Sequence, residues 1–278
     1  MTASPGAPHN RRKFLQIAGT AAGALYLPPF ARAQNPTVLA RKDLATLTAS
    51  DPTLTILKQG IAAMQARPTT DGWNWSNVAS MHQNFCAHNN WYFFPWHRPY
   101  VGFLEYVIQN VTNTPSFRMP YWNWTRNNKI PAQFTSAPLY DPSRQVSPTT
   151  PIPSGYCDST TMSRVIGTAD FQSYASMKGT DQWASVGAGA FEGTPHNCVH
   201  WWMGGDMGTF MSPLDPLFWM HHSNVDRLWA VWNTKHANTT DPAWLNYQLQ
   251  YGAFPNWPVT STLSTQAMGY TYDRLTSV

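Results

Sequence analysis

Histidines are concentrated in two short segments of this 278-residue sequence, and this clustering constrains the fold more than any other feature. The segment 196–227 holds four of the nine histidines, and the segment 82–97 holds three. A fold that uses these side chains together must bring two distant stretches of the chain side by side.

The later segment has the spacing of a metal site. His196 and His200, in "HNCVH", place two rings on one helix face about one turn apart. His222 lies on a helix that Asp215-Pro216 begins with a capping residue and an N1 proline. Three imidazoles without a carboxylate or thiolate suit copper, zinc, iron or nickel and leave room for an exogenous ligand. A structural role for each histidine is the alternative, but the spacing favours metal.

The earlier segment repeats this pattern. His82 lies at the end of one predicted helix, His88 lies on the following loop, and His97 lies at the start of the next helix. Two trios that face one another predict a binuclear site. Their all-nitrogen character argues against a hydrolytic pair of ions bridged by carboxylates.

The remaining patterns predict a mainly α fold with long loops and few short strands. Pro and Ser are concentrated between about Thr135 and Gly155, which predicts a long loop. Capping residues, prolines and apolar periodicity predict four helices: Asp51-Pro52 to about Ala66, Trp75 to Asn84, the region of Pro95 and Pro99 to about Val111, and Asp215-Pro216 to about His236.

The first 33 residues have the pattern of an export signal. Arg11 and Arg12 precede a short apolar run that ends in Ala31-Arg32-Ala33. This predicts a bacterial twin-arginine signal peptide over 1–33, a single domain over 34–278, and a periplasmic or secreted protein. Four of the 18 basic residues lie in the signal, which leaves 14 against 14 acidic residues. We therefore expect no nucleic-acid partner, and the apolar run of the signal is too short to predict a membrane span.

Three stretches together resemble the type-3 copper proteins, which comprise tyrosinases, catechol oxidases and hemocyanins. They are "CAHNNWYFFPWHRPYVGFLE", "EGTPHNCVHWWMGG" and "DPLFWMHHSNVDRLW", and Arg41 and the Tyr270/Tyr272 pair resemble the motifs that bracket this domain. The resemblance implies a central four-helix bundle around two copper ions, with O2 as co-substrate. The ligands it implies are His82, His88 and His97 for one copper, and His196, His200 and His222 for the other. Only five residues separate His82 from His88, fewer than the family often has.

The adjacent histidines His221 and His222 present a choice. Neighbouring helical residues point about 100° apart, and the family pattern selects His222. Asp226, four residues later, shares the face of His222. Three roles are open for Asp226: it orients an imidazole, it pairs with an arginine, or it forms a surface pair with Arg227.

The three cysteines leave at least one without a disulfide partner. In several family members, a Cys-x-His spacing like that of Cys86 and His88 forms a thioether between the sulfur and the ligand imidazole. We expect that bond here, with a buried free thiol as the alternative. The sequence does not decide whether Cys157 and Cys198 pair.

The resemblance implies a tyrosinase, which hydroxylates monophenols to ortho-diphenols and oxidises these to ortho-quinones. Glu192 matches a family glutamate that holds a water, and Asn197 matches the position that helps to turn this water into a base. Alternatives are a catechol oxidase without monophenol activity, a hemocyanin-like oxygen carrier, and a zinc-binding structural or hydrolytic protein.

Bulky residues are expected to control access to the site. Phe210 falls near the family's gate position over the second copper. Phe218 lies on the same helix as His222 and is expected to shield the site, and Trp201 is expected to narrow the entrance. Plain core packing is the alternative for each. Because the chain ends six residues after Tyr272, we expect no C-terminal lid. A phenolic or catecholic substrate and a copper-delivery protein are the expected partners.

Overall fold

A computed structural model describes residues 38–276, so the predicted signal peptide lies outside the described residues. The α-helices are α1 (Pro52–Gln65), α2 (Trp75–Phe85), α3 (Phe93–Val111), α4 (Ser159–Ile166), α5 (Phe171–Tyr174), α6 (Asn197–Met203), α7 (Leu217–Trp232) and α8 (Pro242–Leu245). The strands are β1 (Leu39–Arg41), β2 (Gln248–Tyr251), β3 (Phe254–Pro258) and β4 (Tyr270–Tyr272). The mainly α class with few short strands is confirmed.

Side-chain caps explain where the first two helices begin. The Asp51 carboxylate accepts the Thr53 N–H at 2.8 Å, and Pro52 occupies the first helical position, where its missing N–H costs nothing. The Asn74 amide oxygen accepts the Ser76 N–H at 3.0 Å at the start of α2. Helix α1 ends at Gln65 and α2 at Phe85, each within one residue of the sequence prediction.

Helices α3 and α7 pack against one another at the centre of the molecule, and nearly all residues of both are buried. The sequence predicted α7 as far as about His236, but the helix ends at Trp232. Beyond this end, His236 Nε2 lies 3.1 Å from the Ile166 carbonyl oxygen. His236 thus contacts the end of α4, and the predicted boundary was wrong by one turn.

Four helices carry the predicted metal ligands. Helix α2 carries His82, α3 carries His97, α6 carries His200 and α7 carries His222. The other two histidines lie beside these helices: His88 on the connection between α2 and α3, and His196 in the turn before α6. The four-helix arrangement expected from the resemblance is therefore present.

A two-stranded parallel sheet joins the beginning and the end of the described chain. Strand β1 pairs with β4, and Arg41 lies opposite Tyr272. The Arg41 guanidinium is fully buried and donates to Glu105 at 3.0 Å and to Asp226 at 3.2 Å. Because Asp226 belongs to α7, this contact ties the sheet to the helix that carries His222.

Asp226 and Arg227 are both buried, so the surface-pair interpretation is wrong. The Asp226 carboxylate accepts hydrogen bonds from Arg98 as well as Arg41, and from the Tyr270 hydroxyl at 2.6 Å. Of the three roles left open by the sequence, pairing with arginine is the one the structure shows.

Among the helices of residues 38–276, none combines the length and the apolar composition needed to cross a membrane.

Candidate metal centre

The first histidine trio converges between α2 and α3. His82 Nδ1 lies 2.8 Å from the Phe210 carbonyl oxygen, and His97 Nδ1 lies 2.8 Å from that of Phe93. A carbonyl oxygen can only accept, so each Nδ1 carries the proton and each Nε2 keeps a free lone pair. The two Nε2 atoms lie 3.3 Å apart. The ring centroid of His88 lies 5.0 Å from that of His82 and 4.9 Å from that of His97.

The second trio is built on an unusual turn. Residues Glu192–His196 form a π-helix that leads directly into α6, and the Asn197 N–H bonds the Glu192 carbonyl five residues back. Pro195 lacks the N–H needed for a regular i to i−4 bond, which is compatible with this wider turn. The rings of His196 and His200 remain neighbours, with centroids 4.6 Å apart.

Hydrogen bonds orient two of the three rings of this trio as well. His200 Nδ1 lies 2.6 Å from the Met207 carbonyl oxygen, and His196 Nδ1 lies 2.9 Å from the Asn197 amide oxygen. Their Nε2 atoms each lie 3.3 Å from His222 Nε2. His222 Nδ1 has no hydrogen-bond partner among the described residues.

These nitrogen–nitrogen distances fit bound ions. Two imidazole nitrogens held at about 2.0–2.1 Å from one ion in a tetrahedral arrangement lie roughly 3.3–3.4 Å apart. The free lone pairs of His82 and His97 face one another at 3.3 Å in a buried site, where they repel unless a cation lies between them. The donor set in each trio therefore fits a first-row transition metal.

Burial keeps these imidazoles neutral, the form in which they bind metal. It lowers the pKa of His82 to about 3 and that of His200 to about 4. Burial also lowers the pKa of the other four, and neighbouring histidines lower it further: His88, His97, His196 and His222. All six rings therefore offer lone pairs at neutral pH.

The two trios face one another. The rings of His97 and His222 are stacked, with centroids 4.6 Å apart and planes 18° from parallel. The rings of His88 and His196 are also stacked, with centroids 5.8 Å apart. Both trios thus meet in one binuclear arrangement, as the sequence predicted.

His221 lies closer to the second trio than the helical geometry suggested. His221 forms a group with His196, His200 and His222: one ring nitrogen from each of the four residues lies within 4.8 Å of the other three. Its ring packs against Trp124, with centroids 4.7 Å apart, and neither of its nitrogens has a hydrogen-bond partner in the described part of the chain. Only His222 has its Nε2 at 3.3 Å from both His196 and His200.

Cys86 lies directly beside a ligand candidate. Its Sγ is 3.1 Å from His88 Nδ1, and burial raises the pKa of the Cys86 thiol. The structure has Cys86, Cys157 and Cys198 as free cysteines, so Cys157 and Cys198 do not pair in it.

A cavity of about 280 Å³ lies over the trios and is lined in part by His82, His88, His196 and His200. Glu192 and Asn197 also line it. Glu192 is fully buried, and burial raises the pKa of its carboxyl to about 8, although hydrogen bonds from Ser176 and Asn89 act in the opposite direction. A carboxyl group with this pKa can exchange a proton near neutral pH.

The three predicted access residues differ in position. Trp201 and Phe210 line the cavity and are 66% and 55% exposed, so they form its rim. The centroid of the Phe210 ring lies 5.6 Å from that of the His88 ring, on the side of the first trio. The sequence instead predicted a position for Phe210 over the second copper. Phe218 is buried, and its ring centroid lies 4.1 Å from that of His222, as expected for a shielding residue.

Some contributors were not predicted. The carbonyl groups of Phe93, Met207 and Phe210 orient candidate ligand histidines, but main-chain acceptors leave no mark in a sequence. The pair "GG" at Gly204 and Gly205 was a usable signal. Both adopt positive φ (63° and 57°), which ends α6 and starts the loop that carries Met207 and Phe210.

Comparison with known proteins gives a family match. Residues 61–168 and 139–235 match the family described as the common central domain of tyrosinase. A chloroplastic polyphenol oxidase of Malus domestica is 30% identical over 75% of this chain and 44% of its own length. Aureusidin synthase of Antirrhinum majus is 27% identical over 88% of this chain and 53% of its own length.

Solved structures give the same result. Latent apple tyrosinase superposes with a TM-score of 0.78 at 26% identity, covering 86% of this chain and 63% of that one. The polyphenol oxidase of Grenache (Vitis vinifera) gives 0.77 at 26% identity over 85% of each chain. A tyrosinase from Burkholderia thailandensis shares the fold, with a TM-score of 0.65 at 19% identity. The present chain spans less than half the length of the first curated relatives it matches.

Proposed function

The chain belongs to the family of the common central domain of tyrosinase, and from this we propose that it is a dicopper enzyme that oxidises phenols with O2. The reaction is hydroxylation of a monophenol to an ortho-diphenol, followed by oxidation of the diphenol to an ortho-quinone. The observation that carries the proposal is the convergence of imidazole Nε2 atoms beneath one cavity: those of His82 and His97 lie 3.3 Å apart, and those of His196 and His200 each lie 3.3 Å from that of His222.

We assign the first copper to His82, His88 and His97, and the second to His196, His200 and His222. Bound as a pair, the copper ions supply two-electron chemistry with O2. The chain's contribution is to hold six neutral imidazoles close together in a buried site. Carbonyl oxygens fix His82, His97 and His200 through Nδ1, so the Nε2 atoms need no rearrangement to bind.

We assign removal of the phenolic proton to Glu192, acting through a water that Asn197 helps to hold. A phenol has a pKa near that of tyrosine, about 10, and its oxygen must lose the proton before it can bind a metal. The burial of Glu192 and its raised pKa support this role. The Asn197 amide oxygen lies 2.9 Å from His196 Nδ1, so the amide NH2 group of this cavity-lining residue is the part available to hold a water.

We also propose that a thioether joins Cys86 Sγ to a ring carbon of His88. Formation of this bond removes two hydrogens, one from the thiol and one from the ring carbon, and O2 accepts both and is reduced to hydrogen peroxide. The 3.1 Å contact between Sγ and Nδ1 supports the proposal, because the sulfur already lies against the ring. The bond fixes His88, the one ligand candidate of the first trio that lies on a loop.

For the cellular location we propose bacterial twin-arginine export directed by residues 1–33, with the dicopper domain over 34–278. Its support is Arg11-Arg12, the apolar run and Ala31-Arg32-Ala33. The polyphenol oxidase of Malus domestica differs in this respect, because it is described as chloroplastic. Replacement of both Arg11 and Arg12 by Lys should abolish export, and undiminished export would refute this route. A copper-delivery protein remains part of the proposal.

Oxygen uptake by copper-loaded protein, with a monophenol and with its ortho-diphenol, tests the function. A tyrosinase consumes O2 with both substrates, whereas a catechol oxidase does so with the diphenol alone. A hemocyanin-like carrier binds O2 but forms little quinone. Metal analysis completes the test, since two copper ions per chain are expected and zinc in their place would refute the assignment.

A further inference from the structure

A serine that no sequence motif singled out lies against the Glu192 carboxylate. Ser176 is fully buried, and its hydroxyl forms a hydrogen bond with Glu192 Oε2. The other carboxylate oxygen, Oε1, accepts the Asn89 N–H at 2.7 Å. The two oxygens of Glu192 are thus held by two donors from different segments of the chain, which fixes the rotation of the carboxylate.

Main-chain contacts hold Ser176 in place. It forms an isolated antiparallel bridge with Ala188, and the Met177 N–H donates to the Gly187 carbonyl oxygen at 3.0 Å. The Gly189 N–H lies 3.2 Å from the Ser176 hydroxyl oxygen, which accepts from it. A Cβ at Gly189 would lie 2.6 Å from the Ala175 carbonyl group, so the close approach requires glycine.

The donors and acceptors around the Ser176 hydroxyl allow it to bond Glu192 in both protonation states of the carboxyl group. The Ser176 hydroxyl has one proton and two acceptors within reach, Glu192 Oε2 and the Ala175 carbonyl oxygen. It donates to an ionised Glu192. When Glu192 is protonated, the carboxyl donates to the serine oxygen, and the serine donates to Ala175. The carboxyl group therefore keeps a partner, and its position, in both states.

We propose that Ser176 is the positioning residue of Glu192, holding this carboxylate toward the cavity for removal of the phenolic proton. The proposal rests on the proposed function, because it gives a purpose to the assigned base. Glu192 and Asn89 line the cavity, whereas Ser176 is behind them and acts through Glu192. The substrate class for which Ser176 matters is the neutral monophenol, because its phenolic proton must be removed before the oxygen can bind copper.

Infrared spectroscopy of the copper-free protein tests the contact without any reaction. The carboxyl band of Glu192 is identified by its loss in Glu192→Gln. In Ser176→Ala this band should shift, because Oε2 loses its hydrogen bond. Ser185→Ala is the matched control: its hydroxyl, nine residues along the same segment, accepts from the Asn89 side chain and does not touch Glu192. An unshifted band in Ser176→Ala would overturn the proposal.

Kinetics of the copper-loaded enzyme test the consequence. We expect Ser176→Ala to lower kcat for a monophenol roughly tenfold, as for loss of one hydrogen bond to a charged group, with KM and diphenol oxidation little changed. Equal loss of both activities together with loss of copper would show a merely structural role and refute the proposal. If the wild-type enzyme hydroxylates no monophenol, the proposed function fails at that step, and the infrared result still decides the role of Ser176.

Discussion

Arg41 and Tyr272 are register partners in the parallel sheet although 231 positions separate them, and the guanidinium donates to the tyrosine oxygen at 3.0 Å. Both side chains also contact the Asp226 carboxylate, which lies four residues after His222. The acid thus joins the two ends of the described chain to the helix of the second trio. Removal of the Asp226 charge tests whether these contacts stabilise the fold.

We expect Asp226→Asn to lower the free energy of unfolding by about 3–5 kcal/mol, because it leaves the buried Arg98 guanidinium without its counter-charge and Arg41 with Glu105 alone. Denaturant unfolding measures this. Asp71→Asn is the matched control, since the Arg67–Asp71 pair is about one-third exposed and should contribute less than about 1 kcal/mol. Similar losses in both variants would contradict the role given to Asp226.

The same carboxylate predicts an acid limit to stability. Burial acts to raise the pKa of Asp226, but Arg98, Arg41 and the two tyrosine hydroxyls offset this and hold the pKa below its usual value. A depressed carboxyl pKa stabilises the fold above the unfolded value of about 3.9, and the contribution is lost as the pH falls toward the folded value. Unfolding free energies measured between pH 5 and 3 should fall with pH, and less steeply in Asp226→Asn.

The metal assignment makes a prediction within the His221-His222 pair. His97→Ala and His222→Ala should each lose one copper and all oxidase activity, because each ring supplies an Nε2 that converges with a second ligand. His221→Ala should keep both coppers. Copper analysis and oxygen uptake decide, and equal losses in the His221 and His222 variants would mean that the wrong member of the pair was assigned.

The proposed base predicts a selective loss of activity. Glu192→Gln should lower monophenol hydroxylation by about 100- to 10,000-fold, the range for a positioned general base. Oxidation of the corresponding diphenol should change little, because a diphenol is more acidic. Asn197→Gly should have the same direction, with some added loss because its amide oxygen also orients His196. A parallel fall in both activities, with loss of copper, is the result that argues against a base.

The thioether is tested by mass. The copper-loaded mature chain should be lighter by two hydrogens, and a reductant should not restore them. Cys157 and Cys198, which are free, provide an internal control because both should alkylate after unfolding. If Cys86 alkylates with them, the thioether proposal fails.

The sequence predicted those parts of the fold that depend on local chemistry. Asp51 and Pro52 marked the start of α1 because capping acts within a few residues. The π-turn at Glu192–His196 and the end of α7 at Trp232 were not visible, because a regular helical period does not record a widened turn or a contact such as that of His236 with Ile166.

The same limit applies to the site. Six histidines were predicted as metal ligands from their type, their spacing and the family resemblance, and the structure brings their rings together. Ser176 had no such signal, since its partner Glu192 is 16 positions away and the bridge that holds it is made by main-chain atoms. The position of the Phe210 ring likewise depends on the loop after Gly204, which the sequence does not specify.

The late position of strand β4 in the sequence determines when the fold can close during synthesis. A chain growing on the ribosome contains all six imidazoles before it contains Tyr270 or Tyr272, the residues that complete the pairing of Asp226. Until those tyrosines are synthesised, β1 has no strand to pair with and the buried charges around α7 are incompletely satisfied. The nascent chain therefore has all six candidate ligands before it has the strand that completes this sheet, and the geometry described for the second trio is fully supported only after β4 is made.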